Sequence, residues 1–89
     1  MAVSKFPTPA QLRAARGLLG WSQADLAEAS GVSLRTIKAM ELAAELEPLP
    51  GRPVTIERIL AALSEAGVSF TRGRGAMGVT RFLPEPPLP

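Results

Sequence analysis

Apolar residues recur at helical spacing in four stretches of this chain. In TPAQLRAARGLLG (residues 8–20), Leu12, Ala15 and Leu19 share one face at i, i+3 and i+7. Thr8 is the expected N-cap, Pro9 suits the first helical position, Gln11 completes a capping box, and Gly20 stops the helix. A second helix is predicted from a cap at Ser22, with Asp25 three residues on and Ala24, Leu26 and Ala27 as its apolar positions. Trp21 precedes that cap and is spaced to staple onto Leu26, and Gly31 ends the helix. A third helix follows the cap Ser33. Val32 and Ile37 form a second staple across it, and Ile37 and Met40 point one way. Nothing before Pro48 breaks this pattern, so it is expected to run on through ELAAELE. After the loop EPLPGRP (47–53), a fourth helix is predicted from a cap at Thr55, with Ile56, Ile59, Leu60 and Leu63 inward and Gly67 at its end.

The period then changes. VSFTRGRGAMGVTRF (68–82) holds two β-prone runs, Val68–Thr71 and Val79–Phe82, around a glycine-rich middle, which predicts a hairpin. Val68, Phe70, Val79 and Phe82 alternate with polar residues. An isolated hairpin is marginal in water, so its apolar face is expected to pair with helix four or with the same segment of a second chain. The organisation expected is a flexible lead (1–7), a four-helix unit (8–67), a hairpin that serves as a dimerisation element (68–83) and a disordered proline-rich tail (84–89). The fold class is mostly α, a compact four-helix domain with a C-terminal β-hairpin.

Composition narrows the chemistry. With 89 residues the chain suffices for one domain. It has neither cysteine nor histidine, which removes disulfides, thiolate zinc sites and His-dependent nucleophiles. The eight acidic residues show no pairing suited to acid–base work, so no enzyme activity, cofactor or metal is expected. The N-terminus lacks the apolar core of a secretory signal, and no apolar run reaches the roughly 18 residues of a membrane span. The expected location is the cytoplasm, in association with the nucleoid. A net charge of +2 is too small to imply nucleic acid unless its distribution does.

Two helices joined by a turn of about three residues containing Gly form a helix-turn-helix. Ala27 lets the helices approach, Gly31 supplies a positive φ, and Trp21, Val32 and Ile37 seal the junctions. The sharp angle projects the third helix outward. Ser33, Leu34, Arg35, Thr36 and Lys38 cluster at its start and offer two cations, two hydroxyls and an apolar tip. Arginine can bond guanine bidentately, and Leu or the Thr methyl can meet a thymine methyl. Gln23 and the unpaired amides that open helix two suit a phosphate, and Arg13 and Arg16 add charge nearby.

Through LRAAR and SQADLAEASGVSLRTIKAMELA, residues 8–67, about two-thirds of the chain, resemble the lambda-repressor/Cro-like helix-turn-helix proteins, the XRE family. The resemblance implies a DNA-binding transcriptional regulator, often homodimeric, with double-stranded DNA as partner. It implies phosphate contact at Gln23, base reading by Ser33, Leu34, Arg35, Thr36 and Lys38, and pairing of Arg16 with Glu41. Two features depart from the family: the glycine that usually follows the glutamate is missing, and the hairpin stands where a fifth helix is usual. The dimer interface therefore does not carry over. A protein-interaction module or antitoxin built on the same fold is the alternative. No small-molecule effector is apparent.

Overall fold

A computed structural model describes residues 7–84 of the chain. Residues 1–6 of the expected lead and 85–89 of the expected tail lie outside the described residues. The elements run α1 (Pro9–Leu19), α2 (Gln23–Ser30), α3 (Leu34–Glu41), α4 (Pro53–Glu65), β1 (Val68–Gly73) and β2 (Ala76–Arg81).

The first two helices start where local chemistry dictates. Thr8 Oγ1 accepts from the Gln11 amide at 3.2 Å, and the Thr8 amide donates to Gln11 Oε1 at 3.0 Å. Ser22 and Asp25 make the same reciprocal pair at 3.0 and 2.9 Å. Each pair satisfies two backbone donors that the helix itself leaves orphaned. Leu12 and Ala15 of α1 and Leu26 of α2 are fully buried, with Leu19 and Trp21 packed partly against them. Ala24, expected among the apolar positions of α2, is exposed, and Ala27 is only half-buried. Helical phase explains both: Ala24 lies about 200° from Leu26 around the axis, and Ala27 about 100°.

The third helix is shorter than its sequence pattern. It ends at Glu41, and residues 42–47 turn instead of continuing helical to Pro48. A longer helix would still leave Leu42 and Leu46 off the Ile37–Met40 stripe, and both are exposed in the fold. Turning the chain brings gains that helix would not. The Ala10 amide of α1 donates to the Glu45 carbonyl at 3.3 Å, and Leu49 is buried while its amide donates to the Pro7 carbonyl at 3.1 Å. Pro7, the last residue of the expected flexible lead, is itself buried.

Helix α4 begins earlier than expected. Arg52 is its N-cap and Pro53 its first residue, so Thr55 lies in the first turn and does not cap it. Proline has no amide to satisfy there and its ring holds the helical φ, and no side chain caps this helix. Ile59 and Leu63 are fully buried, and Ile56 and Leu60 half-buried.

The hairpin forms, with longer strands than the two β-prone runs. β1 and β2 pair antiparallel in a register that sets Phe70 opposite Val79 and Gly73 opposite Ala76. Val68, Phe70 and Val79 face the helical core. Phe82 does not: three residues from Val79, it falls on the other face of a period-2 strand and is 66% exposed. The partner of the apolar face also differs from the expectation. β2 lies chiefly along α1, and α4 meets β1 less extensively. Gln11 fastens the contact, since its Nε2 donates to the Thr71 and Gly78 carbonyls at 3.1 and 2.9 Å. Thr8 Oγ1 donates to Met77 Sδ at 3.4 Å, and an Arg81 guanidinium nitrogen donates to the Leu18 carbonyl at 3.0 Å.

Gly67 makes the join between α4 and the hairpin possible. Its φ is +93°, and a Cβ there would stand 2.7 Å from the Phe82 carbonyl oxygen, which is backbone and cannot swing aside. Gly67→Ala is therefore expected to cost about 3 kcal/mol, combining positive-φ strain with the clash. Urea unfolding measures it. A midpoint within error of the wild type would show that the α4–hairpin join is wrongly described.

Candidate nucleic-acid interface

The turn from α2 to α3 is held by backbone conformation and by one hydroxyl. Gly31 adopts φ +74°, and its amide donates to the Ala27 carbonyl at 3.0 Å. No atom lies within 4 Å of where a Cβ would stand, so dihedral preference, not space, calls for glycine. Ser30 Oγ donates to the Leu26 carbonyl at 2.7 Å and accepts from the Val32 amide at 3.2 Å. The sequence reading missed this residue, although a serine just before a turn glycine is a recognisable local bonder. Val32 and Ile37 are both buried across the Ser33 cap.

The outer face of α3 divides its residues by role. Ser33 Oγ accepts from the Thr36 amide at 3.1 Å and donates to Thr36 Oγ1 at 2.9 Å, so both hydroxyls serve the helix start. Leu34 is half-buried and forms less of an exposed tip than its sequence position suggests. Arg35 and Lys38 are exposed, one helical turn apart, with no carboxylate in ion-pair range among the described residues. Beside Arg35 lies an open groove of about 340 Å³, lined by Arg35, Thr36, Ala39, Met40, Pro50 and Gly51.

At the end of α3, Glu41 gathers three helices. Its carboxylate accepts from Arg16 Nε at 2.7 Å and from a terminal Arg16 nitrogen at 2.6 Å, a bidentate pair from α1. It also accepts from Gln23 Nε2 of α2 at 3.1 Å. Arg16 bonds the Trp21 carbonyl at 3.0 Å, which ties in the link between α1 and α2. The Glu41 side chain is 3% exposed and that of Arg16 17%. Hydrogen bonding to Glu41 is the main cause of a raised Arg16 pKa; burial opposes it, and the charge of Glu41 reinforces it. Arg16 stays charged under all ordinary conditions.

The structure thus brings Gln23, Arg16 and Glu41 together and gives the helix-one arginines partners inside the protein. Arg13 donates to the Glu41 carbonyl at 3.0 Å and pairs with the Glu45 carboxylate. Arg13 and Arg16 were both expected to add charge near a phosphate, with Arg16 also expected to pair with Glu41. In the fold each has an acidic partner, so the unpaired positive charge on this face comes from Arg35 and Lys38.

A protein-family model described as helix-turn-helix matches residues 12–50. The match starts in α1 at the first buried leucine and ends in the loop bordering the groove, so it contains the whole Glu41 cluster. It stops short of α4 and the hairpin. No curated protein matches the chain significantly.

Ser30→Ala removes the hydroxyl that joins Leu26 to Val32. The expected loss is about 1 kcal/mol, the usual contribution of a part-buried hydrogen bond. Thermal unfolding followed by circular dichroism reads it, and an unchanged melting temperature would remove Ser30 from the turn's support.

Proposed function

We propose, from the match of residues 12–50 to the XRE/lambda-repressor-like helix-turn-helix family, a sequence-specific regulator that inserts α3 into the major groove of double-stranded DNA. The family is one of DNA-binding regulators. The observation that carries the finer reading is the exposed pair Arg35 and Lys38, unpaired by acids among the described residues, on a short helix braced at its end by Glu41. Arg35 has the chemistry to read guanine, with Lys38 beside it to meet a second base or a phosphate. Ser33, Leu34 and Thr36 supply the adjoining polar and methyl contacts. Gln23 uses one Nε2 hydrogen on Glu41, which leaves the other for a phosphate next to the amides that open α2.

The proposed working form is a homodimer. One reading helix covers only a few base pairs, and two copies about 34–36 Å apart would meet half-sites one helical turn apart. The hairpin is the proposed joining element, through its open strand edge and the exposed Phe82 and Leu83. Its inner face already covers the core, so deleting it would test folding more than assembly. A second reading is favoured by Leu42 and Leu46, which are 87% and 67% exposed beside the end of α3: a protein-interaction module or antitoxin.

Selection from a random DNA library, followed by gel shifts at low and high salt, separates the two readings. An enriched sequence bound in preference to random DNA is expected. Arg35→Ala should cost on the order of 1–3 kcal/mol on that sequence and relax preference at one base position. No enrichment, with binding to a protein partner instead, would favour the module. Equal loss on cognate and random DNA would leave Arg35 as a phosphate contact only.

A further inference from the structure

We propose that the tip of the hairpin is a second DNA contact, separate from the helix-turn-helix, in which Arg72 and Arg74 meet backbone phosphates beside the half-site. This rests on the DNA-binding reading above and extends it to a part of the chain that the family match does not reach.

The distribution of charge points there first. Residues 7–67 carry six basic and seven acidic side chains, so the helical body is slightly negative. Residues 68–84 carry three arginines and no acid. A net charge of +2, uninformative for the whole chain, is thus concentrated on one small element. The three arginines are not equivalent. Arg81 lies against α1 through its bond to the Leu18 carbonyl. Arg72 and Arg74 are exposed, and among the described residues no carboxylate lies in ion-pair range of either. A cation held away from acids on a surface element is suited to a polyanion.

Backbone conformation is a second, independent observation. Arg74 and Gly75 form the two-residue connection, with φ +44° and +77°. Both values are positive, as a type I′ turn requires, and that turn favours Asn, Asp or Gly at its first central position. Arginine there is conformationally unfavourable, and among the described residues it is the one non-glycine residue with positive φ. Folding alone would be better served by glycine or asparagine. The tip is also slim: a Cβ added at Gly73 or Gly75 would meet nothing within 4 Å. Such a profile brings the guanidinium groups close to a nucleic-acid surface without steric conflict.

The packing gives the tip its direction. Arg81 sits by the C-terminal end of α1, Gln11 crosses the middle of the strands, and Met77 reaches Thr8 at the start of α1. The tip therefore projects past the N-terminal end of α1. At that end the loop after α3 is tied down by the Ala10–Glu45 and Leu49–Pro7 bonds. The same loop supplies Pro50 and Gly51 to the groove beside Arg35. Glu45, whose carbonyl takes part in that tie, is paired with Arg13.

Full-length protein bound to its selected DNA fragment tests this by the dependence of affinity on salt. Each phosphate contact adds about 0.9 to the slope of log affinity against log salt. Arg72→Gln combined with Arg74→Gln should lower the slope by about 1.8, so that between 50 and 200 mM salt the wild type loses about 12-fold more affinity than the variant. Sequence preference should not move. Arg74→Gly separates binding from folding, because it relieves the turn while removing a charge: melting temperature should hold or rise while the slope falls by about 0.9. Arg74→Lys should keep the slope. A wild-type slope in the double variant, with DNA still bound, would overturn the arm and leave the helix-turn-helix reading intact. So would tip-dependent binding to anionic lipid vesicles with an unchanged DNA slope. Failure of the wild type to bind any fragment would overturn both.

Discussion

The architecture of the helix-turn-helix unit depends on one buried carboxylate. Glu41 closes α3, at the end of the helix where the backbone dipole disfavours negative charge. Its position is sustained by Arg16, which grips both oxygens, by Gln23, which shares one of them, and by Arg13, which takes the residue's own carbonyl. Those partners come from α1 and α2. A single side chain thus fixes the end of α3 against two other helices. The buried Ile37 and Met40 supply adhesion without direction, while the charged hydrogen bonds define a register and an angle.

The rest of the domain arranges itself around that constraint. Once α3 stops at Glu41, the chain turns back toward the start of α1, is bonded there, and delivers Leu49 to the core. That return leaves Pro50 and Gly51 beside the outer face of α3 and sets where α4 begins. The hairpin then closes the far side of α1, with Gln11 serving both the helix start and the sheet. Arg35 and Lys38 remain outside this network, exposed on α3.

Much of this was legible in the sequence because it is local. The caps at Thr8, Ser22 and Ser33, the stop at Gly31 and the apolar stripes of α1 and α4 each depend on residues within one or two turns. What was not legible depends on distant partners. ELAAELE reads as helix, and only the tertiary bonds of Ala10 and Leu49 end it. Thr55 looks like a cap until Pro53 is seen to open the helix. Phe82 was grouped with Val79 although a spacing of three sets them on opposite faces, a parity check that the sequence does permit. Arg13 looked like free charge because its acidic partner lies 32 residues away. The resemblance to the family did indicate the pairing of Arg16 with Glu41, and the geometry adds Gln23 to it.

Arg16 and Glu41 act as a unit that locks α3 to α1. A double-mutant cycle on stability measures this directly, using Arg16→Met, Glu41→Met and the combination in urea unfolding. Either single change strands a part-buried charge, whereas the double change removes both. The account predicts that the double variant is more stable than the sum of the singles implies, by about 2 kcal/mol or more. Additivity within about 0.5 kcal/mol would contradict it.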